Sequence, residues 1–312
     1  MREPIILLDG ALATELAARG FSVAAPLFSA QALLDAPELV EQIHFDYLLA
    51  GAQVLTTNTF GLHASTLAAA GIGEQQAVLV GRALEILANV RRRALAHDRG
   101  LARFRVAGAI PPRPSGGAKG ALGQAEYRSF ARLLADAGAD LILLETCTSI
   151  AEITLALDGL AGQTLPIWLS VAAGAPSPAG GRPDGTRLVN GDALTELAPL
   201  VEQVDGLLIN CVQIDATPAA IDSLIATAAH ACVPLGVSPH LSKRRSDGVW
   251  VERIVGPEAF AEQMHAWLRA RPQLSLAGAC CGSRPDYIAA MRTALQPEAN
   301  EAAWTRLAEL IP

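Results

Sequence analysis

Short apolar runs recur along the chain and alternate with longer segments in which apolar residues are spaced three to four apart. Each short run is almost continuously apolar instead of alternating, which is typical of parallel strands covered on both faces. Eight runs are predicted to be strands: Ile5–Leu8, Val54–Thr57, Arg105–Ala109, Leu141–Glu145, Ile167–Ala172, Gly206–Cys211, Leu235–Ser238 and Leu274–Cys280.

The intervening segments carry the apolar spacing of amphipathic helices. Helices are predicted at Pro37–Ala50, Gln75–Ala96, Ala125–Ala137, Ile150–Leu160, Thr217–Ala229 and Pro257–Ala270. Pro37 and Pro218 suit the first turn of a helix, and Ser149 and Thr217 are predicted N-caps. Gly138 fits a left-handed helix end that leads into the next strand.

Eight strand–helix alternations favour a closed (β/α)8 TIM barrel of the α/β class, forming one domain over residues 1–312. A dinucleotide-binding fold is disfavoured because no G-x-G-x-x-G motif follows a strand. Three long segments follow predicted strands and are interpreted as loops on the active-site face of the barrel: Pro111–Gly120, Gly174–Gly185 and Leu241–Trp250.

Composition narrows the class of protein. The chain has 312 residues, of which 51% are hydrophobic and 18% charged, so a large core is expected and disorder is excluded. The net charge of −7 disfavours binding to nucleic acid or anionic lipid. We expect a cytoplasmic protein, because no apolar stretch resembles a signal peptide or a membrane span. Five cysteines are too few for a disulfide scaffold.

Polar residues collect where the predicted strands end. The carboxyl ends of barrel strands meet at one mouth, which is where barrel enzymes keep their active sites. The residues that the prediction brings there are Asp9, Thr56, Thr57, Asn58, Glu145, Asn210, Cys211, Cys280 and Cys281.

Three of these residues suggest a metal. Cys211 ends the sixth strand, and Cys280 and Cys281 end the eighth, so three thiolates and one open position would suit a catalytic Zn2+. Gly278 and Gly282 flank the pair and permit the sharp turn that two adjacent ligands need. The alternatives are ordinary buried cysteines or a vicinal disulfide. Two further cysteines are assigned differently: Cys147 to packing or the edge of the mouth, and Cys232 to an inert position at the opposite end.

Several motifs together resemble the homocysteine S-methyltransferase family. They are Leu8-Asp9-Gly10 with Thr14-Glu15-Leu16, Leu55-Thr56-Thr57-Asn58-Thr59-Phe60, Leu144-Glu145-Thr146, Asn210-Cys211, and Gly278-Ala279-Cys280-Cys281-Gly282 with Pro285 and Ile288. The resemblance spans about residues 5 to 295.

That resemblance implies a zinc-dependent enzyme of methionine biosynthesis that methylates homocysteine. It implies that Cys211, Cys280 and Cys281 hold zinc and that Asp9 and Glu145 bind the substrate ammonium. Asn58 and Asn210 could donate hydrogen bonds near the site, or act only as loop and capping residues. The expected partners are small molecules, homocysteine and a methyl donor, while the oligomeric state stays open.

Some positions depart from the family pattern. Ala279 stands where a second glycine is usual, Pro111-Pro112 replaces a Gly-Pro, and Ser238-Pro239-His240 replaces a segment with Pro-Asn. Basic residues Lys243, Arg244 and Arg245 follow that last segment. These loops should shape the donor site, so the departures bear on the identity of the methyl donor.

A sulfonium donor, S-methylmethionine or S-adenosylmethionine, is the predicted methyl source. Trp250 and Phe60 are candidates to contact its cation, or else pack as ordinary aromatic residues. His240 and His63 are further candidates at the mouth, with a solvated loop position as the alternative. Other functions left open are transfer from betaine or to a related thiol, a non-catalytic zinc-binding barrel, and a hydrolase that uses zinc-bound water.

Overall fold

The computed structural model describes residues 4–113, 120–174, 183–244, 250–251, 253–295 and 301–311. Within these ranges the strands are β1 (Ile6–Leu7), β2 (Val54–Thr56), β3 (Arg105–Ile110), β4 (Leu141–Cys147), β5 (Ile167–Ala172), β6 (Gly206–Gln213), β7 (Leu235–His240), β8 (Lys243–Arg244), β9 (Trp250–Val251) and β10 (Leu274–Ala277). The helices are α1 (Leu12–Ala18), α2 (Ala32–Asp35), α3 (Pro37–Ala50), α4 (Ala64–Ala69), α5 (Gln76–His97), α6 (Gly120–Asp136), α7 (Ile150–Leu160), α8 (Thr217–Thr227), α9 (Pro257–Ala270), α10 (Pro285–Leu295) and α11 (Glu301–Leu310).

Eight strands form the predicted (β/α)8 TIM barrel. Their order around the barrel is β1, β10, β7, β6, β5, β4, β3 and β2, with every pair parallel. A parallel bridge between Leu8 and Val54, and a hydrogen bond from the Gln53 amide to the Leu7 carbonyl, join the first strand to the second and close the ring. The remaining strands, β8 and β9, form a small antiparallel pair after β7.

The core has two parts. Outside the barrel, apolar residues fill the space between strands and helices. Inside it, a smaller cluster includes Ile6, Leu141 and Trp168, together with Leu307 and Ile311 from the end of the chain. The Arg105 guanidinium at the start of β3 donates to the Ile311 carbonyl at 2.9 Å, so α11 closes the amino-terminal end of the barrel. The opposite mouth is left for the site.

Local signals place most boundaries where the sequence predicts them. The helices α3, α7 and α9 match the prediction residue for residue. The Ser149 hydroxyl accepts from the Glu152 amide, as an N-cap does, and Gly138 has a φ of +99°. The prediction that Thr217 is an N-cap was wrong: Thr217 is the first helical residue of α8, and its hydroxyl donates back to the Gln213 carbonyl.

Two strand ends differ in a way that matters for function. The last barrel strand ends at Ala277 and not at Cys280, so the cysteine pair lies in the turn that follows it. The sixth strand continues to Gln213, beyond Cys211, across a register shift between Asn210 and Gln213. A similar shift lies between Leu144 and Cys147 in β4. Such bulges re-aim side chains at strand ends.

Candidate metal centre and substrate pocket

A cavity of about 280 Å³ opens at the carboxyl-terminal mouth and runs into the barrel. Apolar side chains such as Leu143, Trp168 and Leu208 form its walls. The residues predicted to hold zinc or bind homocysteine all border it: Asp9, Asn58, Glu145, Asn210, Cys211, Cys280 and Cys281. The strand ends therefore bring these distant parts of the chain to one pocket.

The three predicted cysteines meet. The sulfur of Cys211 lies 2.7 Å from that of Cys280 and 3.7 Å from that of Cys281, and the adjacent pair are 3.9 Å apart. All three are free thiols. Sulfurs bound to tetrahedral zinc at about 2.3 Å lie about 3.8 Å from each other. Two of the separations match this value, and the third needs to open by about 1 Å, so the thiols fit a zinc ion.

Backbone geometry explains how the thiols converge. Cys211 adopts a left-handed conformation with a φ of +52°, which is uncommon for a residue with a side chain and turns it toward the neighbouring turn. Gly282 has a φ of +86° directly after the pair, and a β-carbon there would collide with the Leu241 backbone at 2.7 Å. The sharp turn predicted from the flanking glycines is therefore present, with Gly282 as the residue that requires it.

Helix α1 and the residue before it hold this turn in place. The Gly282 amide donates to the Thr14 hydroxyl, and the Arg284 guanidinium donates to the buried Glu15 carboxylate at 2.7 Å. The Ala11 amide in turn donates to the Ser283 hydroxyl. These bonds connect the Thr14-Glu15 motif to the residues that carry the cysteine pair, which gives that motif a structural role.

The thiol cluster stabilises negative charge unevenly. Hydrogen bonds from Cys211 and Cys280 lower the pKa of the Cys281 thiol, and an interaction with His240 lowers it further. Hydrogen bonds to the other two thiols and burial raise the pKa of Cys280. One proton therefore leaves easily and the next does not, because the second anion would be buried beside the first. A cation is what allows all three to ionise together.

His240 is closer to this cluster than the sequence indicates. A ring nitrogen of His240 and the sulfurs of Cys211 and Cys281 all lie within 4.8 Å of one another, and the three residues form a potential metal-binding group. His240 is buried, at 8% exposure. The alternative of a solvated loop position was wrong, since His240 is the final residue of β7.

Two carboxyl groups, of Asp9 and Glu145, also line the pocket. The Thr56 amide and hydroxyl donate to the two oxygens of Asp9 at 2.7 and 2.9 Å. Burial nevertheless raises the pKa of Asp9 to about 7. Burial, with the negative charges of Asp9 and Cys281, raises the pKa of Glu145 to about 8. Such a pair favours a cationic ligand, which would relieve both penalties.

The two asparagines each make one protein contact and keep an unused oxygen. Asn58 donates to the Ser29 carbonyl at 2.9 Å, and Asn210 donates to the Thr146 hydroxyl at 2.7 Å. The Oδ1 atoms of both are buried and have no hydrogen-bond partner among the described residues. Thr146, which also lines the pocket, has a left-handed φ of +59°, a conformation that is strained for a residue with a branched side chain.

Two exposed aromatic side chains border the pocket. Phe60 is 38% exposed and Phe28 is 46% exposed, both large values for apolar residues. Phe28 also has a φ of +50°, and Gly61 lets its loop approach because a β-carbon there would collide with the Leu27 carbonyl. Phe28 is not among the residues predicted from the sequence, since no local pattern marks it. The side chain of Trp250, the other aromatic candidate, lies outside the described residues, as does Arg245.

Three other residues considered from the sequence, His63, Cys147 and Cys232, do not border the described pocket. His63 is buried, bonds to the Pro111 carbonyl through Nε2 at 2.6 Å, and packs edge-on against Tyr127 and Phe130. It is not among the residues that border the described pocket. Cys147 is buried in the outer core, in agreement with a packing role, and Cys232 is exposed just before β7.

No helix among the described residues is long and apolar enough to cross a membrane.

Comparison with known proteins agrees with the motifs and the geometry. Residues 6–295 match the model of the homocysteine S-methyltransferase family. The homocysteine S-methyltransferase of Escherichia coli is 31% identical, over 93% of this chain and 95% of its own length. A selenocysteine Se-methyltransferase of Brassica oleracea is 28% identical, over 93% of this chain and 88% of its own length.

Solved structures give the same result. The metallated form of the homocysteine methyltransferase from Escherichia coli superposes with a TM-score of 0.76 at 30% identity, covering 93% of this chain and 96% of that one. The carboxyl transferase domain of Rhizobium etli pyruvate carboxylase shares only the fold, at 14% identity and a TM-score of 0.53, over 99% of this chain and 47% of that one. The sequence, the fold and the pocket therefore agree that this chain is an enzyme that belongs to the homocysteine S-methyltransferase family.

Proposed function

We propose that the enzyme transfers a methyl group from a sulfonium donor, S-methylmethionine or S-adenosylmethionine, to the sulfur of L-homocysteine, giving methionine. The observation that carries this proposal is the meeting of three thiols from β6 and from the turn after β10 beside a pair of carboxyl groups in one pocket. Through a metal ion, the three thiols could bind the sulfur of an amino-acid thiol. The two carboxyl groups could bind the ammonium group at its other end.

Cys211, Cys280 and Cys281 would hold Zn2+. When bound, zinc supplies a Lewis acid that keeps the acceptor sulfur ionised at neutral pH, where a free thiol with a pKa of about 8.5 is mostly protonated. Three thiolate ligands also disfavour the hydrolase alternative, since zinc sites that activate water more often use histidine and carboxylate ligands.

Asp9 and Glu145 would bind the ammonium group of homocysteine. Both carboxyl groups lose hydration in the pocket, so an ammonium between them restores favourable electrostatics that water no longer provides. Asn58 and Asn210 would accept further hydrogen bonds through their unused Oδ1 atoms. Held at one end by the carboxylates, the acceptor presents its sulfur in a fixed direction, and such positioning lowers the barrier by several kcal/mol.

The pocket rim supports a cationic donor. Phe28 and Phe60 present exposed rings at the pocket, and a sulfonium over an aromatic face gains about 0.5–2 kcal/mol. A sulfonium carries its own leaving group, a neutral thioether, so no general base is needed for the transfer itself. The protein's task is to align the methyl carbon with the acceptor sulfur and to exclude water.

A methyl-transfer assay tests this proposal. Zinc-loaded enzyme is supplied with homocysteine and, separately, S-methylmethionine, S-adenosylmethionine or betaine, and methionine is measured. The proposal predicts methionine from at least one sulfonium and a loss of turnover in Asp9→Asn and Glu145→Gln. Turnover with betaine alone would reject the sulfonium donor, and no methionine from any donor would favour a non-catalytic zinc-binding barrel.

A further inference from the structure

Helix α1 holds the cysteine turn, residues 278–284, by two polar contacts. The Gly282 amide donates to the Thr14 hydroxyl at 3.0 Å, and the Arg284 guanidinium donates to the Glu15 carboxylate at 2.7 Å. Both contacts join the helix that follows β1 to residues that directly follow the cysteine pair. The partners of the first contact are 268 positions apart in the sequence, so the closed barrel brings them together.

The contact between Glu15 and Arg284 is a charged one. The Glu15 side chain is only 2% exposed, so water hardly competes for its oxygens. Burial opposes ionisation of Glu15, but hydrogen bonds from Arg284 and Arg19 outweigh it and lower the pKa of this carboxyl. Hydrogen bonds between ionised groups are stronger than those between neutral groups. The pair therefore resists movement of the cysteine turn away from α1.

Close packing prevents the opposite movement, toward the first strand. A β-carbon on Gly10 would lie 2.6 Å from the Ser283 hydroxyl and 2.8 Å from the Tyr47 ring. A β-carbon on Gly278 would lie 2.9 Å from the Leu8 side chain. The backbone of the cysteine turn thus lies directly against the end of β1, and it has no room to move closer.

Asp9 lies at the other end of this arrangement. It adjoins Gly10, and the Thr56 amide and hydroxyl hold its carboxyl group by two hydrogen bonds. A short path of main chain therefore connects Asp9 to the contacts that hold the cysteine turn. The polar contacts of α1 limit how far the thiols of Cys280 and Cys281 lie from Asp9, and the glycine packing limits how near they lie.

We infer that the Glu15–Arg284 pair sets the length of the thiol that the enzyme accepts, and that it selects homocysteine against homologues with a longer side chain. The inference rests on the proposed function, because it assumes that the ammonium group binds at Asp9 and Glu145 and the sulfur at the three thiols. Glu15 and Arg284 are positioning residues, since neither borders the described cavity. Without the pair the cysteine turn can move outward, whereas the glycine packing still blocks inward movement.

Three amino-acid thiols test the inference in zinc-loaded enzyme with any sulfonium donor that supports turnover. They are L-cysteine, L-homocysteine and the homologue with one more methylene group. Wild type should favour homocysteine over the longer homologue by at least about tenfold in kcat/KM, the usual value of one methylene group. Glu15→Gln should reduce this preference at least about fivefold and leave cysteine as poor an acceptor as before. A variant that is merely less stable would lose activity toward all three thiols in equal proportion.

Asp46→Asn is the matched control. Asp46 accepts from Arg19 in the same network at 2.6 Å, and its other described contact is with Gln42, so it does not reach the cysteine turn. This variant should keep the wild-type preference. Arg284→Gln should behave as Glu15→Gln does, whereas Arg284→Lys keeps the positive charge and should retain part of the preference.

Amide hydrogen exchange of the metal-free protein gives a measurement that does not depend on turnover. The Gly282 amide should exchange at least about tenfold faster in Glu15→Gln than in wild type, because the turn is no longer held against α1. Its exchange rate in Asp46→Asn should equal that of wild type.

The inference is overturned if Glu15→Gln keeps the wild-type preference for homocysteine over the longer homologue, or if the exchange of its Gly282 amide is unchanged. Either result leaves the proposed function intact. Wild type that methylates none of the three thiols with any sulfonium would instead reject the proposed function, and the inference with it. If Glu15→Gln does not fold, Arg284→Gln decides the same question, because the Arg284 side chain is 36% exposed.

Discussion

The ionised carboxylate of Glu145 destabilises the folded protein because it is buried. Glu145→Gln should therefore stabilise the metal-free protein at high pH. The Glu145 carboxyl has no hydrogen-bond partner among the described residues, and burial with the nearby charges of Asp9 and Cys281 raises its pKa from 4.5 to about 8. The native state thus holds a proton that the unfolded chain releases above about pH 4.5. Stability is consequently lost as the pH rises from about 4.5 to about 8.

The size of this destabilisation follows from the shift in the pKa of Glu145. A rise from 4.5 to about 8 corresponds to about 5 kcal/mol at 1.36 kcal/mol per pKa unit. Glu145 borders an open cavity, so solvent screening reduces this ceiling, and we expect about 2 kcal/mol. Glutamine cannot ionise and keeps the shape of the side chain. Glu145→Gln should therefore unfold about 3 °C above wild type at pH 8.5 and at nearly the same temperature at pH 5.

Denaturant and thermal unfolding of chelator-treated protein at pH 5, 6.5 and 8.5 measure the difference. Glu152→Gln is the matched control, because burial opposes ionisation of Glu152 but hydrogen bonds from Arg113 and Tyr127 outweigh it and lower the pKa of this carboxyl. That variant should be less stable than wild type at pH 8.5. If Glu145→Gln is no more stable than wild type at pH 8.5, or if its advantage is equally large at pH 5, burial of the Glu145 carboxyl does not destabilise the protein in this way.

Binding of homocysteine should strengthen from pH 6 to pH 8.5, because Asp9 and Glu145, with pKa values of about 7 and 8, ionise in this range. If calorimetry gives the same binding affinity at both ends of the range, the two carboxylates do not bind the ammonium group. Burial lowers the pKa of His44 from 6.5 to about 4. Wild type therefore loses up to about 3 kcal/mol of stability as the pH falls from 6.5 to about 4. Unfolding experiments at pH 7 and 4.5 should show that His44→Phe loses correspondingly less. Phe60→Leu should raise the Michaelis constant of a sulfonium donor about two- to fivefold and leave that of homocysteine unchanged, whereas equal effects on both would reject the donor contact.

The parts of the structure that depend on short-range pattern could be predicted from the sequence. Continuous apolar runs indicate buried parallel strands, and their alternation with helices indicates a barrel. Because strand ends share one mouth, the meeting of Cys211 with Cys280 and Cys281 followed from the same pattern. The boundaries of α3 and α7 were also predictable, since Pro37 and Ser149 mark their first turns.

The remainder depends on contacts that no local pattern encodes. The two hydrogen bonds that hold Asp9 come from Thr56, far along the chain, and depend on the closure of the barrel between the first and second strands. Phe28 reaches the pocket because of a left-handed backbone and close packing against Gly61. His240 reaches the thiols because β7 extends two residues beyond Ser238, the predicted end. Each of these depends on tertiary geometry and not on propensity.

A single zinc ion held by three thiolates is central to the proposed function, and the metal content of the protein is therefore the decisive measurement. Zinc per chain is measured after dialysis for wild type, for Cys211→Ser, Cys280→Ser and Cys281→Ser, and for Cys232→Ser as the exposed control. We predict about one zinc per chain in wild type and in Cys232→Ser, and a large loss of both zinc and methyl transfer in the other three variants. Full zinc content and undiminished methyl transfer in any of those three would show that the three thiolates do not hold a catalytic zinc.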